Sequence, residues 1–218
     1  MKRLKQHPLT HVIWDWNGTL VDDACFCASI VSEILQEWNL PGIQKEDYRR
    51  RFRFPVREFY DELGFSGGED EYLEVCESFI TKYRTGWMNC CLQDGAAEVL
   101  GELQMRGVSQ VALSASQQDH LEENLEYFGI ADYFDAILGQ DNIRAEGKIE
   151  RGRQWFEERK ISADSTLLVG DTNHDCEVAA ALSVPCLLYS NGHQDWSQLV
   201  KLPSKKITCL LEVLNVFA

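Results

Sequence analysis

The stretch His11-Val12-Ile13-Trp14-Asp15-Trp16-Asn17-Gly18-Thr19-Leu20-Val21-Asp22 decides how this chain is read. It starts as a short apolar run ending in an acid, and Asn17-Gly18 is a turn signal, so it reads as a buried strand feeding a loop. Similar runs occur at Val111-Ala112-Leu113-Ser114, at residues 166–171 and at residues 184–189, with a weaker one at 134–138. They are apolar throughout rather than alternating, as expected of a parallel sheet covered on both faces. Helical patterns fall between them, over 96–105, 117–128, 149–159 and 176–182. This alternation predicts an α/β, doubly wound (Rossmann-like) parallel sheet core.

One region breaks the alternation. From Asp22 to Cys91 the patterns are helical only. Phe26, Ile30, Ile34 and Trp38 recur every fourth residue, with Cys27, Val31 and Leu35 beside them, which makes one apolar stripe. Further helices are expected near 56–63 and 70–85, with Pro41-Gly42 and Gly67-Gly68 as punctuation. The reading is a core made of residues 1–21 and 92–218 and a small inserted helical cap at 22–91, hinged at 20–24 and 90–95.

Composition sets outer limits. The 218 residues carry 44% hydrophobic and 26% charged side chains, ordinary for a globular chain with a substantial core. A net charge of −14 repels phosphate backbones, so no nucleic-acid partner is expected, and any anionic substrate needs local positive charge. No apolar run approaches a membrane span, and the basic residues at 1–8 precede no apolar stretch, so neither a membrane association nor a signal peptide is expected. The eight cysteines form no CxxC pair and no zinc spacing, and read as buried, reduced thiols of a cytoplasmic protein.

Ligands of open α/β sheets bind outside the carboxyl ends of the strands. Asp15, Ser114 and Asp171 each end a predicted strand, and three polar residues on one rim suggest a site. Four motifs stand in order along the chain: Asp15-Trp16-Asn17-Gly18-Thr19, Leu113-Ser114, Gly147-Lys148, and Gly170-Asp171-Thr172-Asn173-His174-Asp175. In this order, with a helical insertion after the first, the chain resembles the haloacid dehalogenase superfamily of phosphatases, close to its phosphoglycolate phosphatase-like branch. The resemblance implies an enzyme that forms an aspartyl-phosphate on Asp15. It implies Mg²⁺ held by Asp15, the backbone carbonyl of Asn17 and Asp171, with Asp175 as a water-bridged or supporting partner. It also implies a phosphate held by Lys148, by Ser114 and Ala115, and by the Gly18-Thr19 loop.

Elementary chemistry agrees with those roles. A carboxylate attacking a phosphate dianion meets like-charge repulsion, which a divalent cation relieves, and oxygen ligands suit a hard cation. A lysine in the first turn of a helix opposes the helix dipole, so Lys148 calls for a nearby anion. Ser116, three residues before Asp119, reads as a helix cap, and Thr19 as a residue that steadies the loop. His174 reads as a surface histidine in a first helical turn.

The motif departs from the family at residue 17, where Asn replaces the Asp that donates and accepts a proton. An amide cannot exchange protons in that way. Three readings stay open: a phosphatase selective for esters whose leaving group needs little protonation, a phosphonate-cleaving (phosphonoacetaldehyde hydrolase-like) relative using cap Lys45 or Lys82, or partial deamidation at Asn17-Gly18. A weakened member that only binds phosphorylated ligands or another protein is a further alternative. The cap arginines at 49, 50, 51, 53 and 57 read as a basic face, from which Arg53 is the candidate for gripping an acidic group of the substrate. The expected partner is a small phosphorylated metabolite such as phosphoglycolate, and the expected state a monomer or homodimer.

Overall fold

Val12, Ile13 and Trp14 are no more than 1% exposed, and burial on both faces puts this first strand in the middle of a sheet. A computed structural model describes residues 8–141 and 147–217; the basic residues at 1–7 read above lie outside them. The chain runs β1 (His11–Trp14), β2 (Val21–Asp22), α1 (Ala24–Glu37), α2 (Lys45–Arg51), α3 (Val56–Leu63), α4 (Glu69–Gly86), β3 (Cys91–Leu92), α5 (Ala96–Met105) and β4 (Ser109–Gln117). It continues through α6 (Gln118–Tyr127), β5 (Ala136–Gln140), α7 (Lys148–Arg159), β6 (Thr166–Gly170), α8 (Asn173–Leu182), β7 (Cys186–Tyr189), α9 (Trp196–Leu199) and β8 (Lys205–Ile207).

Six strands form one parallel sheet in the order β5-β4-β1-β6-β7-β8. The chain leaves β1 toward β4 on one side and later returns to β6 on the other, so β1 is the point where the winding reverses. Trp14 pairs with Ala112 on β4 and with Val169 on β6. That register brings Asp15, Ser114 and Asp171 out at one edge of the sheet. Two apolar layers cover the sheet: one joins Val12, Trp14 and Trp16 to Leu100 and Leu103, and the other joins Ile13 and Leu168 to Trp155 and Val178.

The α/β, doubly wound architecture expected from the sequence is the one found. β8 was not anticipated, because its Lys205-Lys206 opening is the polar sequence of an edge strand rather than an apolar run. α2 was missed as well, since Lys45–Arg51 buries only Tyr48 and carries no apolar period. β4 runs on to Gln117, past the predicted end at Ser114, with a register shift between Leu113 and Gln117. Ser116 therefore lies in the strand and is not a helix cap; Gln117 holds that position before α6. The thiols are all free, but only Cys27 and Cys76 are buried, while Cys25, Cys91 and Cys209 are exposed. Among the described residues, no helix is long and apolar enough to cross a membrane.

α1 to α4 build their own apolar cluster, in which Ile30, Val31, Ile34 and Leu35 of α1 meet Tyr48, Phe59 and Val75. The chain leaves for these helices through β2 and returns through β3, which pair antiparallel as Val21 with Leu92 and Asp22 with Cys91. Contacts hold the helices against the loop after β7. Arg49 donates to the carbonyls of Gly192 (2.7 Å) and Ser190 (2.8 Å), and Gln194 and Gln198 donate to the Phe52 carbonyl.

The rim also depends on polar groups beneath it. The Trp14 indole donates to Gln110 Oε1 (3.1 Å), and Gln110 Nε2 donates to the Leu100 carbonyl (2.8 Å), with Gln110 only 1% exposed. Replacing Gln110 with Leu leaves the buried Trp14 indole N–H without an acceptor, at about 1–3 kcal/mol, while the Leu100 carbonyl, inside α5, keeps its helical partner. Urea unfolding of Gln110→Leu is expected to show that loss with an unchanged m-value; a loss below about 0.5 kcal/mol would count against it.

Candidate active site

Asp15 is the first residue beyond β1, and its N–H donates to the Val169 carbonyl (2.9 Å) on β6. That bond fixes its carboxylate at the mouth of the sheet, 8% exposed. Lys148 opens α7 directly after Gly147, whose φ of 99° is a backbone state that glycine adopts at little cost. The Lys148 ammonium is 3% exposed and bridges Asp15 Oδ1 (2.6 Å) and Asp175 Oδ1 (2.7 Å). The two carboxylates supply the anions that its position in a first helical turn calls for.

Asp171 and Asp175 follow β6. Asp175 Oδ2 accepts from the N–H of Asp171 (3.1 Å), the N–H of Thr172 (3.0 Å) and the Thr172 hydroxyl (2.8 Å), a capping box for α8. With Lys148 on its other oxygen, Asp175 is saturated and acts as a support. Asp171 differs. Its Oδ1 accepts from the Thr19 hydroxyl (2.9 Å) and its Oδ2 from the His193 N–H (2.5 Å). Thr19 also lies 3.3 Å from Asp15 Oδ2, so one hydroxyl joins both acids. A Cβ at Gly18 or at Gly192 would overlap the Asp171 carboxylate, which explains glycine at both positions.

Asn17 lies at the same mouth. Its amide nitrogen donates to Asp23 Oδ2 (2.7 Å) and to the Tyr83 hydroxyl oxygen (2.9 Å), and its Oδ1 accepts from Ser116 Oγ (2.8 Å). Ser114 Oγ accepts from the Ser116 N–H (3.0 Å) and lies at the long limit from Asn17 Oδ1. Asp23 is fully buried and also accepts from the Gly18 N–H (2.9 Å) and from Tyr83 (2.8 Å). His193 Nε2 stands 3.2 Å from Asp23, and its Nδ1 pairs with the Tyr48 hydroxyl at 2.9 Å.

The electrostatics follow from burial. Burial pushes the Asp171 carboxyl well above the usual range; the His193 charge pulls it down, but Asp15 and Asp175 add to the rise. Burial raises Asp15 too, against the pull of Lys148. Burial also opposes the Asp175 charge, yet Lys148 and Thr172 hold it below the carboxylate range. Asp23 is held low in spite of burial, by His193, Asn17 and Tyr83, and His193 in turn is raised to about 9, chiefly by Asp23 acting against desolvation. Four buried carboxylates at 15, 23, 171 and 175 thus face two buried cations, Lys148 and His193. The excess negative charge matches one divalent cation. Carboxylate oxygens of Asp15, Asp171 and Asp175 lie within 4.8 Å of one another, and an all-oxygen set suits a hard ion.

A cavity of about 160 Å³ opens from this rim into the helical segment, lined by Asp15, Asn17, Ser114, Ala115, Lys148 and His193 on the sheet side. Gly18 and Thr19 are not among the lining residues; both contact Asp171. Arg53 is not among the lining residues; it pairs with Glu62. Neither Lys45 nor Lys82 is among the residues that line the cavity, and Lys82 pairs with Glu37 (2.7 Å). His174 is not a surface residue: Phe54 stacks on it at 4.6 Å between centroids, and it lines the cavity. Asp23, His193, Tyr83 and His120 escaped the sequence reading. For His193 a signal existed, since the Asn191-Gly192-His193 loop follows the end of β7 on the ligand-binding edge. Asp23 and Tyr83 carried none, because their meeting with Asn17 depends on how the helices pack.

A profile described as haloacid dehalogenase-like hydrolase matches residues 12–189. A phosphoglycolate phosphatase of Pseudomonas savastanoi pv. phaseolicola is 27% identical over 190 residues, which cover 84% of this chain and 70% of that protein. One from Vibrio parahaemolyticus is 23% identical over 232 residues, 99% of this chain and 100% of the other. The solved structure of a hydrolase of the haloacid dehalogenase-like family from Streptococcus pneumoniae superposes with a TM-score of 0.84 at 20% identity, over 96% of this chain and 99% of that one.

The Asp171 charge is the least compensated of the buried group. A carboxyl raised on folding contributes stability that is full below its unfolded value and lost as pH rises toward its folded value. The metal-free protein is therefore expected to gain stability, through Asp171, as pH falls from neutrality toward the ordinary carboxylate range. Asp171→Asn is expected to stabilise the metal-free protein at pH 7 by about 0.5–2 kcal/mol and to flatten that dependence. Lys148→Met, which strands two buried acids, is expected to cost about 3–5 kcal/mol. Thermal unfolding from pH 5 to 8 checks both; an Asp171→Asn protein less stable than the parent would contradict the charge assignment.

Proposed function

The chain belongs to the haloacid dehalogenase-like hydrolases, and on that premise we propose that it is a magnesium-dependent phosphatase whose nucleophile is Asp15. Its substrate is a phosphate monoester. The observation that carries the reading is the joined pair of contacts at the rim: Lys148 bridging Asp15 to Asp175, and Thr19 bridging Asp15 to Asp171. Structural lysine–carboxylate pairs are common, but a third, poorly compensated acid held against them by two glycines is costly without a ligand.

In this reading the Asp15 carboxylate attacks phosphorus in line and the ester oxygen departs, leaving an aspartyl-phosphate that water then hydrolyses. Asp15, the Asn17 carbonyl and Asp171 hold the ion, with Asp175 supporting through Lys148. When bound, Mg²⁺ supplies charge screening between the carboxylate and the phosphate dianion. Lys148 holds Asp15 in place and offsets charge on the transferring group. Ser114, the Ala115 backbone and the Gly18-Thr19 loop receive the phosphate oxygens. Residues 22–91 act as a cap over the core of residues 1–21 and 92–218, opening about the β2–β3 ribbon and excluding water when closed. Asn17 orients the leaving oxygen but transfers no proton, so the enzyme favours esters whose leaving group needs little protonation.

The test is turnover of a phosphate-ester panel with magnesium. Asp15→Asn is expected to lower kcat by at least about 1,000-fold, and EDTA to abolish turnover reversibly. Activity that survives either treatment would defeat the proposal.

Asn17 gives a sharper test. Its amide nitrogen lies 2.7 Å from Asp23, so Asn17→Asp sets two buried carboxylates together. The variant is expected to lose about 1–3 kcal/mol of stability while gaining on alkyl esters relative to aryl esters by about tenfold or more, within the reach of general acid catalysis. Adding Asp23→Asn restores one acid and one amide, and stability is expected to return. Equal gains on both ester types, or no recovery in the double variant, would count against this account of Asn17.

A further inference from the structure

The cavity side facing the phosphoryl site is a box of rings. Tyr48, Phe52, Phe54, Phe59, Phe79 and Tyr83 line it from the helical segment, with Val31, Val56 and Ile80 between them. Tyr60 and Tyr72 line it too, and of the four tyrosines Tyr48 has its hydroxyl engaged with His193 and Tyr83 with Asp23 and Asn17.

Positive charge is missing from that side. Among the described residues, Lys148 is the only lysine or arginine that lines the cavity, and it sits at the phosphoryl end. Arg49 is bound to the carbonyls of Ser190 and Gly192, Arg51 and Arg53 to Glu62, Arg57 to Glu69, and Arg84 to Asp119. The His193 charge is matched by Asp23. A carboxylate pushed among these rings would lose its water and meet no lysine or arginine there, which is costly.

His120 supplies an independent observation. It lines the cavity and is 5% exposed, and its Nε2 is buried with no hydrogen-bond partner in the protein. Tyr83 and Trp87 meet its ring edge-on at 5.6 Å, so it is held by packing. Burial depresses its basicity, which keeps it a neutral donor or acceptor rather than a cation. Buried polar atoms left without partners are rare, and two of them, His120 Nε2 and His174 Nε2, belong to side chains on the cavity wall; His120 is the one set among the rings of the helical segment. A hydroxyl, which both donates and accepts, satisfies either tautomer of the imidazole.

From the ring box, the absent cation and the unpartnered His120 nitrogen together, we infer that the substrate is the phosphate monoester of an uncharged aryl group, a phenol, carrying a hydroxyl or similar neutral group that meets His120. The inference rests on the phosphatase reading and extends it to the leaving group. The chemistry at residue 17 agrees independently. A phenol departs with less need of a proton than an alkyl alcohol, which suits a site whose family acid is replaced by an amide.

Binding and turnover separate the two layers of the argument. With magnesium present, titration calorimetry on Asp15→Asn is expected to give phenyl phosphate at least about tenfold tighter binding than phosphoglycolate, from ring burial alone. Phe79 is half-buried and lines the box, so an arginine there can reach the cavity. Phe79→Arg is expected to shift the phenyl phosphate to phosphoglycolate ratio toward the acid by about tenfold or more. Across ring-hydroxylated phenyl phosphates, at least one isomer is expected to exceed phenyl phosphate in kcat/KM, and His120→Phe to lower that ratio by about fivefold or more. Equal binding of the two esters by Asp15→Asn, or tighter binding of phosphoglycolate, overturns the aryl assignment and leaves the phosphatase reading intact. Tight phenyl phosphate binding with no turnover of any ester by the parent protein overturns the phosphatase reading and upholds the cavity's ligand class.

Discussion

The buried ammonium of Lys148 between Asp15 and Asp175 is the interaction on which the rest of the site depends. An ion pair this far from water is maintained only when every charge has a partner. Each piece of the rim serves that condition. Gly147 lets the backbone turn so that α7 starts with the lysine pointing inward. The capping box at Thr172 uses the second Asp175 oxygen, so that acid caps a helix and holds the lysine at once. Asp15, fixed by its own N–H on β6, is left with one oxygen toward Lys148 and one toward Thr19.

Asp171 is the exception. It is fully buried, flanked by two other acids, and its oxygens meet only neutral donors. Strain of this kind concentrates where a ligand completes the structure. The glycines at 18 and 192 show that the backbone has been brought close to this carboxylate from two sides.

A second polar system lies beside the first. Asn17, Asp23, Tyr83, His193 and Tyr48 form a continuous chain of hydrogen bonds that ties the phosphoryl mouth to helices α1, α2 and α4 and to the loop after β7. It accounts for Asn17 in physical terms. With a carboxylate already buried at residue 23, an amide at 17 donates where an acid would repel. The proton-exchanging group of the family motif and the buried Asp23 compete for one place, and the amide resolves the conflict. The same chain engages the Tyr48 and Tyr83 hydroxyls, and the rings of both line the cavity above it.

The sequence by itself determined the parallel sheet and the edge on which the site lies. Runs such as Val12-Ile13-Trp14 and Leu167-Leu168-Val169 are apolar without alternation, which only a doubly covered sheet explains, and each ends in an acid. The helical insertion was legible from the period of Ile30 and Ile34, and the motif order located Asp15, Lys148, Asp171 and Asp175. Elements without an apolar signal, α2 and the edge strand β8, were not legible, nor was the extension of β4 that carries Ser116 to Asn17. What only the tertiary structure decided is which side chains meet across long separations. The five arginines of residues 49–57 look like a grip for an acid in one dimension, yet in three they pair with carboxylates and loop carbonyls outside the cavity. Asp23 meets Tyr83 across sixty residues and His193 across the sheet, because packing is set by shape and burial over the whole chain, and local pattern does not encode it.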